Sequence, residues 1–170
     1  MFGKQSRWFV PLAATAAVLL AASPASAAPT DVLRDFVPAS ESCTDFDIAL
    51  TYNQGNIRVR EFGNGNIYQV GTGRTITWSN EGLDGEGSNG KTYTVKTSGS
   101  VARFVLNPDG KTYTLTLTGH NAFVYFSTDD TGPGAYQYTG RVVLQVDSKN
   151  NVSSVDATAG KAVDVCKLLK

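Results

Sequence analysis

From Thr44 to Asp156 apolar and polar residues alternate with period two, and Gly, Asn and Asp break the alternation every few residues. Ten segments carry the pattern: 44–52, 57–62, 66–73, 74–80, 91–98, 100–107, 111–119, 121–127, 135–147 and 151–157. The pattern predicts an all-β antiparallel domain, a β-barrel or β-sandwich of about 8–10 short strands. In the last long segment Tyr136, Tyr138, Val142, Leu144 and Val146 share one face, with Gly140 among them; Gln137, Thr139, Arg141, Gln145 and Asp147 share the other. One face is therefore buried and one mostly wet. Asn107-Pro108-Asp109-Gly110 predicts a type I turn closed by a bulge, and the loops Asn53–Asn56 and Gly63–Asn66 have hairpin length. Outside the sheet, Thr30–Phe36 and Lys161–Leu169 are candidates for short terminal helices; alternating Val163 and Val165 also suit a strand.

Two stretches repeat. GKTYTVKTSGS (90–100) and GKTYTLTLTGH (110–120) agree at Gly, Lys, Thr, Tyr, Thr and the later Gly, which predicts two similar consecutive hairpins in a meander. Two copies fall short of a solenoid.

Ahead of this region the chain reads as an export signal. MFGKQSR is positive, residues 8–22 are apolar and SPASAA is small, so cleavage is expected between Ala27 and Ala28, leaving residues 28–170 as a single domain. The apolar run falls short of the roughly 20 residues that span a bilayer, and no Cys follows it to take a lipid. The expected location is secreted, extracellular, with no membrane association after cleavage. Basic and acidic side chains number 15 each; losing Lys4 and Arg7 with the signal leaves 13 against 15, a net charge of −2. With no basic block, nucleic acid is not an expected partner. A monomer is expected.

Cys43 and Cys166 are the only thiols, and in an exported chain a disulfide between them is the economical reading. Closing so long a loop is worth up to roughly 4–5 kcal/mol in the chain-entropy model.

Candidate chemistry is sparse. His120 is the only histidine and falls at an expected Gly119-His120-Asn121 turn, with no nucleophile-elbow serine and no second metal ligand nearby. The loop 84–90 (DGEGSNG) spaces oxygen-bearing side chains as a calcium loop does, but departs from the EF-hand pattern, so no metal is assigned. Asp129-Asp130-Thr131-Gly132-Pro133-Gly134 has the composition of a turn. Trp78, Tyr136, Tyr138 and Arg141 are the candidate ligand-binding residues, the aromatics as a surface for a sugar ring or the lining of an interior and the arginine for an anion, although the aromatics share their faces with Ile, Leu and Val, which favours core packing with hydroxyls at the rim. Arg58, Arg60, Arg74, Arg103 and Arg141 all lie within strands, where gathered on one face they would meet an anionic ligand and interleaved with acids they would be cross-strand partners.

Over nearly all of residues 28–170 the chain resembles a group of small secreted actinobacterial proteins of unknown function. The resemblance rests on Cys43 to Asp47, EFGNGN (61–66), VGTGRTIT (70–77), the Asn-Pro-Asp-Gly turn, YQYTGR (136–141) and Asp-Val-Cys (164–166). It implies an exported β-rich domain bridged between its ends and transfers no activity. The expected function is a non-enzymatic binding or carrier domain for a hydrophobic small molecule or a glycan, without cofactors. The alternative is an extracytoplasmic hydrolase using Asp84, Glu86, Asp129 or Asp130. Mass spectrometry of the exported protein is expected to find Ala28 at the N-terminus and a mass two hydrogens below that of the reduced chain; free thiols would remove the bridge.

Overall fold

Two packed antiparallel sheets make up the computed structural model, which describes residues 32–83 and 88–170. In chain order the strands are β1 (Val32–Val37), β2 (Asp47–Asn53), β3 (Ile57–Glu61), β4 (Ile67–Thr72), β5 (Thr75–Gly82), β6 (Thr92–Lys96), β7 (Gly99–Leu106), β8 (Thr112–Tyr125), β9 (Gly134–Asp147) and β10 (Val152–Asp164), followed by the helix α1 (Val165–Leu169). A four-stranded sheet has the order β1-β2-β5-β6, and a six-stranded sheet the order β10-β9-β8-β7-β4-β3. The six-stranded sheet ends in β10 and β3 and does not close, so the architecture is a sandwich and not a barrel. The expected signal peptide, with its cleavage between Ala27 and Ala28, lies outside the described residues.

Three expectations change. Residues 32–37 form β1, not a helix: Val32 to Val37 pair with Asn53 to Ile48 at the edge of the small sheet. Segments 111–119 and 121–127 are a single strand, β8, and His120 sits within it opposite Thr139 instead of at a turn. The repeated stretches do not form two hairpins of one meander, because the first supplies β6 of the small sheet and the second the start of β8 in the large one. The expected Asn107–Gly110 turn is present, with Gly110 N–H donating to Asn107 C=O at 2.9 Å and Gly110 at φ +65°.

Glycine shapes the large sheet. Gly119 lies directly opposite Gly140, Gly140 lies opposite Gly160, and Gly99 adjoins Ser100, the partner of Gly119. All four have φ between +89° and +125°, a region closed to most side chains. A Cβ on Gly140 would stand 2.2 Å from the Ala159 carbonyl oxygen, and one on Gly119 2.5 Å from that of Gly99. The line of glycines is a crease across β7 to β10.

Its effect is large. A straight strand would carry Phe126 about 43 Å from Tyr113, yet the loop after Phe126 returns to the first residue of β10, whose neighbour Val146 pairs with Tyr113. There the Asp129 carboxylate, 5% exposed, accepts the Val152 N–H at 2.7 Å and the Phe126 N–H at 2.7 Å, while Asp130 N–H donates to Val152 C=O at 3.2 Å. The sheet is thus folded over its own inner face. Leu115 and Leu117 from one side of the crease pack in one cluster with Phe123, Tyr125 and Tyr138 from the other. The outer face of the folded arm, through Ala122, Val124 and Ala135, joins Ile48, Tyr52, Ile76 and Trp78 of the small sheet and Val165 and Leu169 of α1 in a second cluster. The Cys43–Cys166 disulfide, with a Cα–Cα distance of 5.1 Å, ties that cluster's two sequence ends together.

Gly140→Ala is expected to cost at least about 3 kcal/mol, since a strained φ and a carbonyl clash act together. Gly110→Ala, at a positive φ with open space around it, should cost only about 1 kcal/mol. Urea denaturation of the two variants checks the contrast.

Candidate functional site

Where β4 leaves the large sheet and β5 enters the small one, only Gly73 and Arg74 intervene. A Cβ at Gly73 would lie 2.3 Å from the Thr97 carbonyl oxygen, so the crossing needs glycine for close approach. Arg74 is held by Thr97: its N–H donates to Thr97 Oγ1 at 2.8 Å, and its carbonyl accepts the Thr97 N–H at 2.8 Å. This crossing forms one wall of a cleft of about 130 Å³ between the sheets, beside the crease.

The cleft draws on both apolar clusters. Leu50 and Ile76 come from the small sheet, and Ala102, Leu117 and Phe123 from the folded large sheet. Polar groups gather around them. Tyr52 Oη donates to Asp35 Oδ2 at 2.7 Å, and the Arg74 guanidinium carbon lies 5.2 Å from the centre of the Tyr52 ring. Burial, then the bond to Asp35, pushes the Tyr52 phenol well above its ordinary value. His120 and Asn121 complete the rim, with His120 Nδ1 3.4 Å from Ser98 Oγ. The arrangement offers an apolar floor, a phenol oriented by a carboxylate, and a guanidinium half-exposed beside it.

None of the four sequence candidates lines this cleft. Trp78 is fully buried, with Nε1 donating to Gln137 Oε1 at 3.3 Å, so it presents no face to a sugar. Tyr138 is buried and its hydroxyl meets that of Tyr125 at 3.0 Å; Tyr136 stacks on Tyr138 at 5.8 Å. Arg141 is exposed on the opposite face of β9 from these tyrosines. Among the described residues, four of the five arginines named in the sequence do not stand opposite acids: Arg60 faces Tyr68, Arg58 faces Val70, Arg103 faces Tyr68 and Thr116, and Arg141 faces Thr118 and Ala159. Asp129 serves the sheet closure, and Asp84 and Glu86 lie outside the described residues. Of the calcium-loop candidates that are described, Asn89 donates to Leu169 C=O at 3.0 Å. Among the described residues no three His, Cys, Asp or Glu side chains gather as a metal site, and no helix is long and apolar enough to cross a membrane.

Asp35 and Tyr52 carried no expectation of a site, and Arg74, expected within a strand as one of five arginines that could meet an anion, lies instead in the crossing between β4 and β5. Asp35 lay in a segment expected to be helical, and the three are brought together only by the pairing of β1, β2 and β5. No family model, curated protein or solved structure matches this chain.

The buried phenols give a pH test. Tyr52, Tyr125 and Tyr138 all hold their protons above the ordinary tyrosine value, chiefly because burial disfavours the phenolate. The unfolded chain therefore releases these protons first, and stability is full below about pH 10 and falls as pH rises above it. Each phenol is expected to contribute a slope of up to about 1.4 kcal/mol per pH unit. Tyr52→Phe should flatten the decline measured by urea unfolding between about pH 9 and about pH 11, one unit either side of the tyrosine value.

Proposed function

We propose that this protein is a non-enzymatic extracellular binding domain and that the cleft between its sheets takes a small apolar ring with one polar or anionic end. The observation that carries the reading is the juxtaposition of an apolar floor with the Asp35–Tyr52 hydrogen bond and Arg74 at the same opening. Ligand sites commonly have this composition, with a mostly apolar surface and a few convergent polar groups. Size narrows the ligand: a cleft of about 130 Å³ is close to the roughly 150 Å³ cavities that hold benzene and well below the 300 Å³ or more of drug-sized pockets. A long acyl chain does not fit that space. Arg74, held through its backbone by Thr97, supplies the cation for a carboxylate on the ring.

The disulfide suggests an oxidising, non-cytoplasmic compartment, which agrees with secretion. The hydrolase alternative has lost its most restricted carboxylate, because both oxygens of Asp129 accept main-chain N–H groups. No other pair of described carboxylates converges at the cleft, where Asp35 is the only acid.

Screening single-ring carboxylic acids by thermal shift and calorimetry is expected to find binders. Ala122→Leu, which fills the cleft, should abolish binding, and Arg74→Gln should weaken it about tenfold. Binding that survives both substitutions would place the ligand elsewhere.

A further inference from the structure

The outer face of the six-stranded sheet, away from the cleft, carries a concentration of cations. In the paired register Arg60, Tyr68 and Arg103 stand directly side by side across β3, β4 and β7. Two residues along, Arg58 and Val70 extend the same face. Arg58, Arg60 and Arg103 are exposed, as are Tyr68 at 40% and Val70 at 44%. The Arg60 guanidinium lies 4.9 Å from the centre of the Phe62 ring, and among the described residues no carboxylate pairs with any of these three arginines. Glu61 projects to the other face by strand alternation, and Asp156 is engaged by Gln145 and Ser154.

Charge on an edge strand guards against edge-to-edge pairing, and Arg58 and Arg60 on β3 would serve that purpose. Arg103 would not. It lies on β7, two strands in from the edge, where its neighbours already satisfy the backbone. Three cations around one exposed ring, in a domain whose net charge after signal removal is negative, form a local field that favours an anionic partner.

We propose that this face binds an anionic polysaccharide bearing uronic-acid carboxylates. A sugar ring lies on Tyr68, and carboxylates along the chain meet Arg60 and Arg103 on either side and Arg58 beyond. The three paired strands present these side chains in a row, which suits an extended chain. Guanidinium groups offer two parallel donors to each carboxylate. The aromatic ring between the cations distinguishes this partner from a simple polyanion, and the arginines on either side of Tyr68 distinguish the face from an apolar membrane anchor. The proposal is independent of the cleft, whose ligand and lining residues are different.

Affinity electrophoresis and calorimetry of the exported protein on polygalacturonate test it, with dextran, polyglutamate, single-stranded DNA and phosphatidylglycerol vesicles alongside. Polygalacturonate is expected to bind, more weakly as salt rises, while dextran does not. Arg60→Gln and Arg103→Gln should each weaken binding about threefold to fivefold, and Tyr68→Ala about tenfold. All three positions are exposed, and urea unfolding verifies that the variants fold. Equal binding of polyglutamate or DNA, binding only to vesicles, or full affinity in Tyr68→Ala would each overturn the proposal, as would no binding to polygalacturonate.

Discussion

The line of glycines across β7 to β10 is the constraint on which the remaining structure depends. Strands of 13 and 14 residues are too long to cover a single small core if they run straight. Four successive glycines at positive φ let the sheet fold sharply at one level, so that one face encloses its own core and the other remains available to the small sheet. The fold is then locked at its open end by Asp129. One carboxylate oxygen of Asp129 accepts the Phe126 N–H and shapes the turn after β8, and the other accepts the Val152 N–H and holds that turn against the start of β10. Without the glycines the carbonyls of Gly99, Thr139 and Ala159 would collide with side chains; without the Asp129 carboxylate the buried Val152 N–H would lose its partner.

The small sheet and the chain ends depend on that folded arm. Ala122, Val124 and Ala135 face outward because Phe123 and Tyr136 on the same arms face inward, and the exposed apolar surface so created is what β2 and β5 cover. Cys43 and Cys166 then join the turn before β2 to α1 across the edge of this second core. Polar bonds close the same end: Asn80 Nδ2 reaches Leu169 C=O at 3.0 Å, Lys170 pairs with Asp45, and Glu41 Oε2 accepts Ser127 Oγ–H at 2.7 Å from the loop that carries Asp129. The disulfide therefore stabilises contacts that the crease has already brought together, in addition to restricting the unfolded chain.

Alternation made the strands legible, and the disulfide followed from having only two cysteines in a chain that reads as exported. The pairing of strands into two sheets was not legible, since local periodicity is the same in both. Thr30–Phe36 was a candidate for a short helix because it lies outside the alternating region, and only pairing with β2 makes Val32–Val37 a strand. Glycine misled in a more instructive way. Gly119 before His120 reads as a turn because turns and creases both require positive φ. The distinguishing signal was present: Gly99, Gly119, Gly140 and Gly160 recur at intervals of 20 to 21, the same period that relates the two GKTYT stretches. That period is the length of one strand, turn and return, so it places glycines side by side when the strands are antiparallel. The cleft residues carried no such signal, because Asp35, Tyr52 and Arg74 belong to three elements that meet only after the sheets have packed.

Strand alternation also relates the two surfaces argued above. On β3, Ile57 lines the cleft and Arg58 the outer face; on β4, Gln69 and Gly71 line the cleft while Tyr68 and Val70 face out. One two-stranded ribbon thus forms part of both surfaces, and it is attached to the rest of the large sheet through the single β4–β7 ladder. Because successive side chains on a strand are fixed relative to one another, any rotation of this ribbon that widens the cleft must also turn Arg58, Arg60 and Tyr68. The Gly73–Arg74 crossing limits such a rotation, since Thr97 holds Arg74 by hydrogen bonds on both sides and leaves no room for a side chain at Gly73. The same two residues that connect the sheets therefore fix the spacing of the cleft and, through β4, the orientation of the cationic face behind it.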